Sequence, residues 1–313
     1  MRCMTMERTV GSTLAAFAYQ SPDHAPFFWE NGPHAILLIH GFPGTPAEMR
    51  RVGQVFAGEG WSVRGLLLPG FGAEFDALGH RRCTDWQAAV DDAVAELRRT
   101  HVTLVVAGNS FGAALALVAA ARHPIDGAIL FAPFWRLDSW LDNLYPLAER
   151  ILPRIRPFAR ADFSDPKFRL ELMHFLSGVD LDDPAVQVQI RQLELPTRVL
   201  GQVRRAGRLG FAAAGRVAAP TLIFQGRNDP LVRPRRTQQL ARRLPNLVNY
   251  VEVDGEHDLV RGATPDWRIV EQTLRAFAAR AVADSKGERS DWEQASPPNL
   301  TTRTTFMGSR TGT

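Results

Sequence analysis

The chain has 313 residues, 45% of them hydrophobic and 22% charged, with a formal net charge of +4. That balance fits an ordinary soluble globular protein, one large α/β domain or two small ones. Lysine occurs only at Lys167 and Lys286, and the arginines are spread among acids apart from clusters such as Arg233-Pro234-Arg235-Arg236, so the charge reads as a solvated surface and not as a nucleic-acid face.

No apolar run approaches the ~20 residues needed to span a bilayer, so no integral membrane segment is expected. Cys3 and Cys83 are the two cysteines. They form neither a disulfide framework nor a metal-ligand spacing. With no convincing signal-peptide core near the N-terminus, the sequence reads as cytoplasmic.

Residues 1–32 form an N-terminal segment with room for a first strand. Ala35 to Ile39 is a continuous apolar run, the pattern of a parallel strand buried on both faces. It leads into His40-Gly41-Phe42-Pro43-Gly44-Thr45-Pro46, where glycines let backbone pass close to a ligand and a free N–H at Phe42 can point into a site. Pro46 to Ala57 is predicted helical, with proline in the first turn. A second buried run covers Val63 to Leu68. Thr84 to Arg99 then reads as a helix, capped by Thr84-Asp85 and ending in Arg98-Arg99.

The next strand, Val102 to Ala107, runs into Gly108-Asn109-Ser110-Phe111-Gly112 and a helix over Phe111 to Arg122. A turn this tight leaves no room for side chains two places either side of its centre, and it projects the serine hydroxyl at a helix start. Alone, the pentapeptide is also compatible with an ordinary surface turn. Gly127 to Phe131 is a further strand. The alternation then breaks: between Pro133 and Pro220 there are helical patterns, many arginines and aromatics, and no convincing buried strand. A long insertion after a strand's carboxyl end is expected to lie over a site there, with Trp135 and Trp140 as candidate substrate contacts.

Thr221 to Phe224 resumes the strands and ends in Gly226-Arg227-Asn228-Asp229-Pro230. A helix over Arg235 to Leu244 and a strand over Leu247 to Val253 lead to Gly255-Glu256-His257-Asp258. Pro265 to Ala279 is the last predicted helix. From Asp284 to Thr313 the composition shifts to small and polar residues, as in a disordered tail. Strands alternating with helices imply a parallel sheet covered on both faces.

Serine is a weak nucleophile and needs a base, an acid to orient that base, and oxyanion donors. In a doubly wound sheet these come from loops at the carboxyl ends of strands. Asp229 stands at such an end, with Asp138, Asp254 and Asp258 as competitors. His257 is the only histidine after Asp229, giving the order Ser110, Asp229, His257.

With those residues in place, the sequence resembles the α/β-hydrolase superfamily. The stretches "LLIHGFPGTPAEM", "GWSVRGLLLPGFG", "GNSFG", "QGRNDPLV" and "GEHDLV" are similar to bacterial carboxylesterases and monoacylglycerol lipases. The resemblance implies a mostly parallel eight-stranded sheet with helices on both faces and a helical cap inserted after the sixth strand. It places the core at 33–133 and 220–283, the cap at 134–219 and the tail at 284–313. It also implies Ser110, Asp229 and His257 as a catalytic triad, the N–H groups of Phe42 and Phe111 as oxyanion donors, and no cofactor or metal. Phe42, Phe111, Trp135 and Trp140 are the expected lining of an apolar acyl pocket. Asn109 also stands before the serine in carbon–carbon bond hydrolases, but their longer glycine-rich oxyanion loop is absent here.

The expected activity is hydrolysis of a small carboxylic ester by a monomer or homodimer. An acyltransferase or thioesterase would use the same triad, and a non-catalytic binding protein of this fold would have no need to keep it complete.

Overall fold

The computed structural model describes residues 19, 21–137, 145, 149, 151–173, 180–261 and 264–287. Trp140, Asp138, Cys3 and residues 288–313 of the expected tail lie outside the described residues.

The centre is a sheet of β1 (Phe27–Trp29), β2 (His34–Ile39), β3 (Ser62–Leu66), β4 (Thr103–Asn109), β5 (Gly127–Phe131), β8 (Thr221–Gly226) and β9 (Leu247–Val253). A separate two-stranded ribbon, β6 (Arg154–Ile155) with β7 (Leu195–Pro196), falls between β5 and β8. The order across the main sheet is β1-β3-β2-β4-β5-β8-β9, with β1 antiparallel to β3 and every other pair parallel. Among the described residues the sheet thus has seven strands, one fewer than expected. The insertion accordingly follows the fifth of them, not the sixth. The three-residue β1 is half exposed and carries no buried run, which is why the sequence marks it so weakly.

The continuous apolar runs are explained by burial on two sides. Along β2, Ala35, Leu37 and Ile39 enter one core while Ile36 and Leu38 enter the other. Leu104 and Val106 of β4 likewise part from Val105 and Ala107. With side chains alternating across a strand, a strand covered on both faces needs an apolar residue at every position. One face is covered by α1 (Arg50–Gly58) and α8 (Trp267–Ser285), and the other by α2 (Cys83–Thr100), α3 (Phe111–Ala120) and α6 (Thr197–Ala213).

The insertion also contains α4 (Pro166–Met173) and α5 (Pro184–Gln192). Phe163, Leu172, Leu181 and Ile190 form a small core of their own. Its last helix, α6, belongs instead to the main core, through Val199, Val203 and Ala206. It lies directly on α3: a methyl group placed on Gly210 would come 2.8 Å from the Ala114 carbonyl oxygen. The remaining helix, α7 (Pro234–Ala241), joins β8 to β9, and α8 reaches Ser285, into the stretch expected to be tail.

Candidate active site

Ser110 sits between β4 and α3 with φ 51° and ψ −109°, a conformation that costs on the order of 1–3 kcal/mol for a residue with a side chain. It is held there from both sides. Its N–H donates to the Phe131 carbonyl (2.8 Å) at the end of β5, and its own carbonyl accepts from Ala113 (3.2 Å) and Phe134 (3.1 Å). The flanking glycines are sterically required. A Cβ on Gly108 would overlap the Gly112 backbone, and one on Gly112 would overlap the Ile39 and His40 carbonyls.

His257 reaches this serine from the loop after β9. Its Nε2 is 2.9 Å from Ser110 Oγ, and its Nδ1 is 2.7 Å from Asp229 Oδ2. A carboxylate only accepts, so Nδ1 carries the proton and Nε2 is left to accept from the serine hydroxyl. The Asp229 side chain is fully buried. Its other oxygen accepts from the N–H groups of Leu231 and Val232, both at 2.8 Å. The acid and base loops are bound together by Arg227 N–H to the Val253 carbonyl and Asn228 N–H to the Gly255 carbonyl, both 3.0 Å. Gly226 is needed at this junction, because a Cβ there would strike the Glu256 carbonyl.

The competing acids are engaged elsewhere or lie outside the described residues. Asp254 accepts from Asn228 Nδ2 at 3.3 Å, Asp258 pairs with Arg261 at 2.8 Å, and Asp138 is not described.

The loop after β2 is fixed by His40, to which the sequence reading assigned no role. Nδ1 of this fully buried ring donates to the Gly41 carbonyl (2.8 Å) and Nε2 accepts from Leu68 N–H (3.1 Å). Both nitrogens are used by a neutral imidazole, and burial holds its pKa down at about 4. The Gly41 carbonyl also accepts from Gly44 N–H at 3.0 Å. In a trans peptide the C=O and the following N–H point in opposite directions. Fixing the Gly41 carbonyl toward His40 and Gly44 therefore turns the Phe42 N–H the other way.

Phe111 is the first residue of α3, where a helix leaves its N–H without an intrahelical partner. Its ring packs into the core. It is 1% exposed, at 5.0 Å centroid distance from Trp86 and 6.3 Å from Phe71. Phe42 is half-buried against Phe71, at 6.0 Å. Trp135 is also structurally occupied: its indole N–H donates to the Arg236 carbonyl (2.9 Å) and its ring stacks on Phe211 of α6 at 4.1 Å. Trp140 lies outside the described residues.

Two charged residues near the site carried no sequence signal: Glu48, in the turn before α1, and Arg261, beyond His257. The sequence reading assigned neither a role, although Glu48 falls within the stretch "LLIHGFPGTPAEM", and only the fold brings them together, at 3.2 Å. Among the described residues no group of three or more His, Cys, Asp or Glu side chains could hold a metal ion.

A serine, a histidine and an aspartate linked in this way at the carboxyl edge of a doubly wound sheet define the α/β-hydrolase class. Residues 32–261 match the family described as serine aminopeptidase, S33. A thermostable monoacylglycerol lipase of Bacillus sp. strain H-257 is 27% identical over 267 residues, spanning 82% of this chain and 95% of its own. A carboxylesterase of Bacillus subtilis strain 168 is 29% identical over 105 residues, 33% of this chain and 43% of its own. Among solved structures, a monoacylglycerol lipase of Paleococcus ferrophilus aligns with a TM-score of 0.61 at 18% identity, covering 83% of this chain and 98% of that one. A structure from work on the metagenome-derived lipolytic enzymes LipS and LipT aligns at 0.65 with 21% identity, covering 82% and 98%. At these identities the structures speak for the fold. The chain belongs to the S33 serine aminopeptidase family of α/β hydrolases.

Proposed function

We propose that this protein is a carboxylic ester hydrolase of the carboxylesterase or monoacylglycerol lipase type, acting through Ser110, His257 and Asp229. The observation that carries the reading is the single imidazole bridging Ser110 Oγ and Asp229 Oδ2 at 2.9 and 2.7 Å. His257 Nε2 takes the serine proton as Oγ attacks the ester carbonyl, and the imidazolium returns it to the leaving alcohol. Asp229 holds the tautomer and stabilises the imidazolium. The resulting acyl-Ser110 is cleaved by a water that His257 deprotonates in turn, releasing the acid and the free hydroxyl.

The N–H groups of Phe42 and Phe111 receive the negative charge on the carbonyl oxygen, each contributing roughly 3 kcal/mol to the transition state in sites of this kind. The Gly41 carbonyl, anchored by His40, supports the first assignment, and the start of α3 supports the second. The acyl group is apolar and small-molecule in origin. Phe42 is the aromatic whose half-buried ring suits its pocket, with the insertion at 134–219 as its cover. A cytoplasmic location belongs to the same reading, from an N-terminal stretch without a convincing signal-peptide core. No helix among the described residues is long and apolar enough to cross a membrane.

The test is a set of p-nitrophenyl esters from acetyl to palmitoyl beside an aminoacyl p-nitroanilide, with fluorophosphonate labelling. Ester turnover with a burst, and label on Ser110 that vanishes in Ser110→Ala, is the expected result. Faster cleavage of the anilide would assign the site to peptide chemistry instead.

A further inference from the structure

Glu48 has the setting of a working residue although its motif assigns it no role. Its side chain is 4% exposed, and a carboxylate so buried is costly unless each oxygen is compensated. One oxygen accepts from the Gly41 N–H and from Asn109 Nδ2, the latter at 3.1 Å. The other pairs with Arg261 at 3.2 Å. Burial pushes its pKa up, against the pull of Arg261, Gly41 and Asn109. These three partners all donate, which is the set an ionised carboxylate requires.

Arg261 extends the connection. Its second terminal nitrogen donates to Asp258 Oδ2 at 2.8 Å, and its backbone N–H reaches Asp258 Oδ1 at 3.3 Å. Burial alone would lower its pKa, but Glu48 and Asp258 hold it above the ordinary value. Every anchor of this network is one residue from a proposed working group. Gly41 precedes Phe42, Asn109 precedes Ser110, and Asp258 follows His257. The contact with Gly41 also completes the restraint on that residue: its carbonyl is held by His40 and Gly44, and its N–H by Glu48.

We infer that the buried Glu48 and the part-buried Arg261 form a positioning pair that locks the oxyanion loop, the serine elbow and the histidine loop into one register, so that losing either residue lowers turnover without weakening substrate binding. The pair touches no reacting atom and acts through its three neighbours. The loops it joins come from the ends of three different strands, β2, β4 and β9, and misplacement of a catalytic constellation by about 1 Å costs on the order of 100-fold in rate.

The inference rests on the proposed function, and its test separates the two. Steady-state kinetics on a p-nitrophenyl ester, per fluorophosphonate-labelled site, would compare the wild type with Glu48→Gln, Arg261→Gln, their double variant and Arg261→Lys, with melting temperatures alongside. Each single loss should lower kcat about tenfold or more while KM stays within about twofold, since the interaction lost serves the transition state. The double should be no worse than the worse single variant, because partners acting as one unit are non-additive. Arg261→Lys, which keeps the charge, should recover at least about threefold of the Arg261→Gln loss.

A fall in melting temperature with wild-type kcat per labelled site would make the pair merely structural and overturn the inference. So would losses that multiply in the double variant. If Arg261→Gln does not fold, Glu48→Gln, Arg261→Lys and their double carry the same non-additivity test. A wild-type protein that neither labels nor cleaves esters would overturn the proposed function instead.

Discussion

Asp229 and His40 show how a single residue's surroundings fix its role. The Asp229 carboxylate accepts from two backbone N–H groups through one oxygen and faces His257 through the other. Asp229→Asn keeps the shape, but its amide favours the wrong imidazole tautomer. It should fold normally and lose about 10⁴-fold in kcat, by analogy with the same exchange in serine proteases. Circular dichroism and ester turnover on one preparation would check both halves. An Asn variant that retains most of its activity would move the acid elsewhere.

The buried His40 ring makes a prediction about stability. Its pKa lies near 4 in the folded protein, against an ordinary 6.5. As pH falls through 6.5 the unfolded chain takes up a proton that the native state refuses until about 4. The folded protein therefore loses stability across that window, by about 3 kcal/mol in total. Urea unfolding between pH 7 and 4 should show this loss, and His40→Gln should remove that part of the slope. An identical slope in the variant would assign the titration to another group.

At the scale of elements, α6 is the informative piece. It lies within the insertion by sequence, yet a Cβ placed on its Gly207 would come 2.9 Å from the Trp135 backbone, and one on its Gly210 would come 2.8 Å from the Ala114 carbonyl of α3. A helix packed this closely on the one that starts directly after Ser110 joins the insertion to the elbow. Gly210→Leu should cost about 1–3 kcal/mol by overpacking. At Gly215 a Cβ meets nothing nearer than the Arg243 carbonyl at 3.8 Å, so Gly215→Ala serves as the tolerated control. Thermal melts of the two variants distinguish a packed interface from a loose one. Equal melting temperatures would mean that α3 and α6 separate without cost.

The same packing changes what is expected of Trp135. Its ring is stacked on Phe211 and its N–H is committed to the Arg236 carbonyl. Trp135→Ala should therefore lower stability by about 2 kcal/mol. A shift in acyl-length preference at unchanged melting temperature would instead make it a pocket residue.

For the whole molecule, the parallel sheet brings the loops after β2, β4, β8 and β9 to one edge, where the doubly wound topology gathers its ligand groups. All the groups of the proposed mechanism, from nucleophile to oxyanion donors, belong to the chain itself. Ester turnover should therefore be the same with and without EDTA, after exhaustive dialysis. Loss of activity restored by a divalent cation would overturn that mechanism.

The sequence by itself determined the elements that have strong local causes. Strands buried on both faces are written as unbroken apolar runs, so β2 and β5 were legible almost to the residue. The elbow was legible because only glycine fits two places either side of Ser110, and the placement of Asp229 and His257 because strand ends in this topology converge on one edge. Only the tertiary structure decided the rest. The brief, half-exposed β1 has no periodicity to read. The Phe111 ring was turned inward by core packing, and α6 was claimed by the sheet that its own segment interrupts. His40 and Glu48 are buried polar residues and Arg261 is part-buried, each held in part by a partner distant in sequence; Glu48 and Arg261 are 213 positions apart. A charge is tolerated in a core only when the fold brings its partner to it, and no local pattern records that meeting.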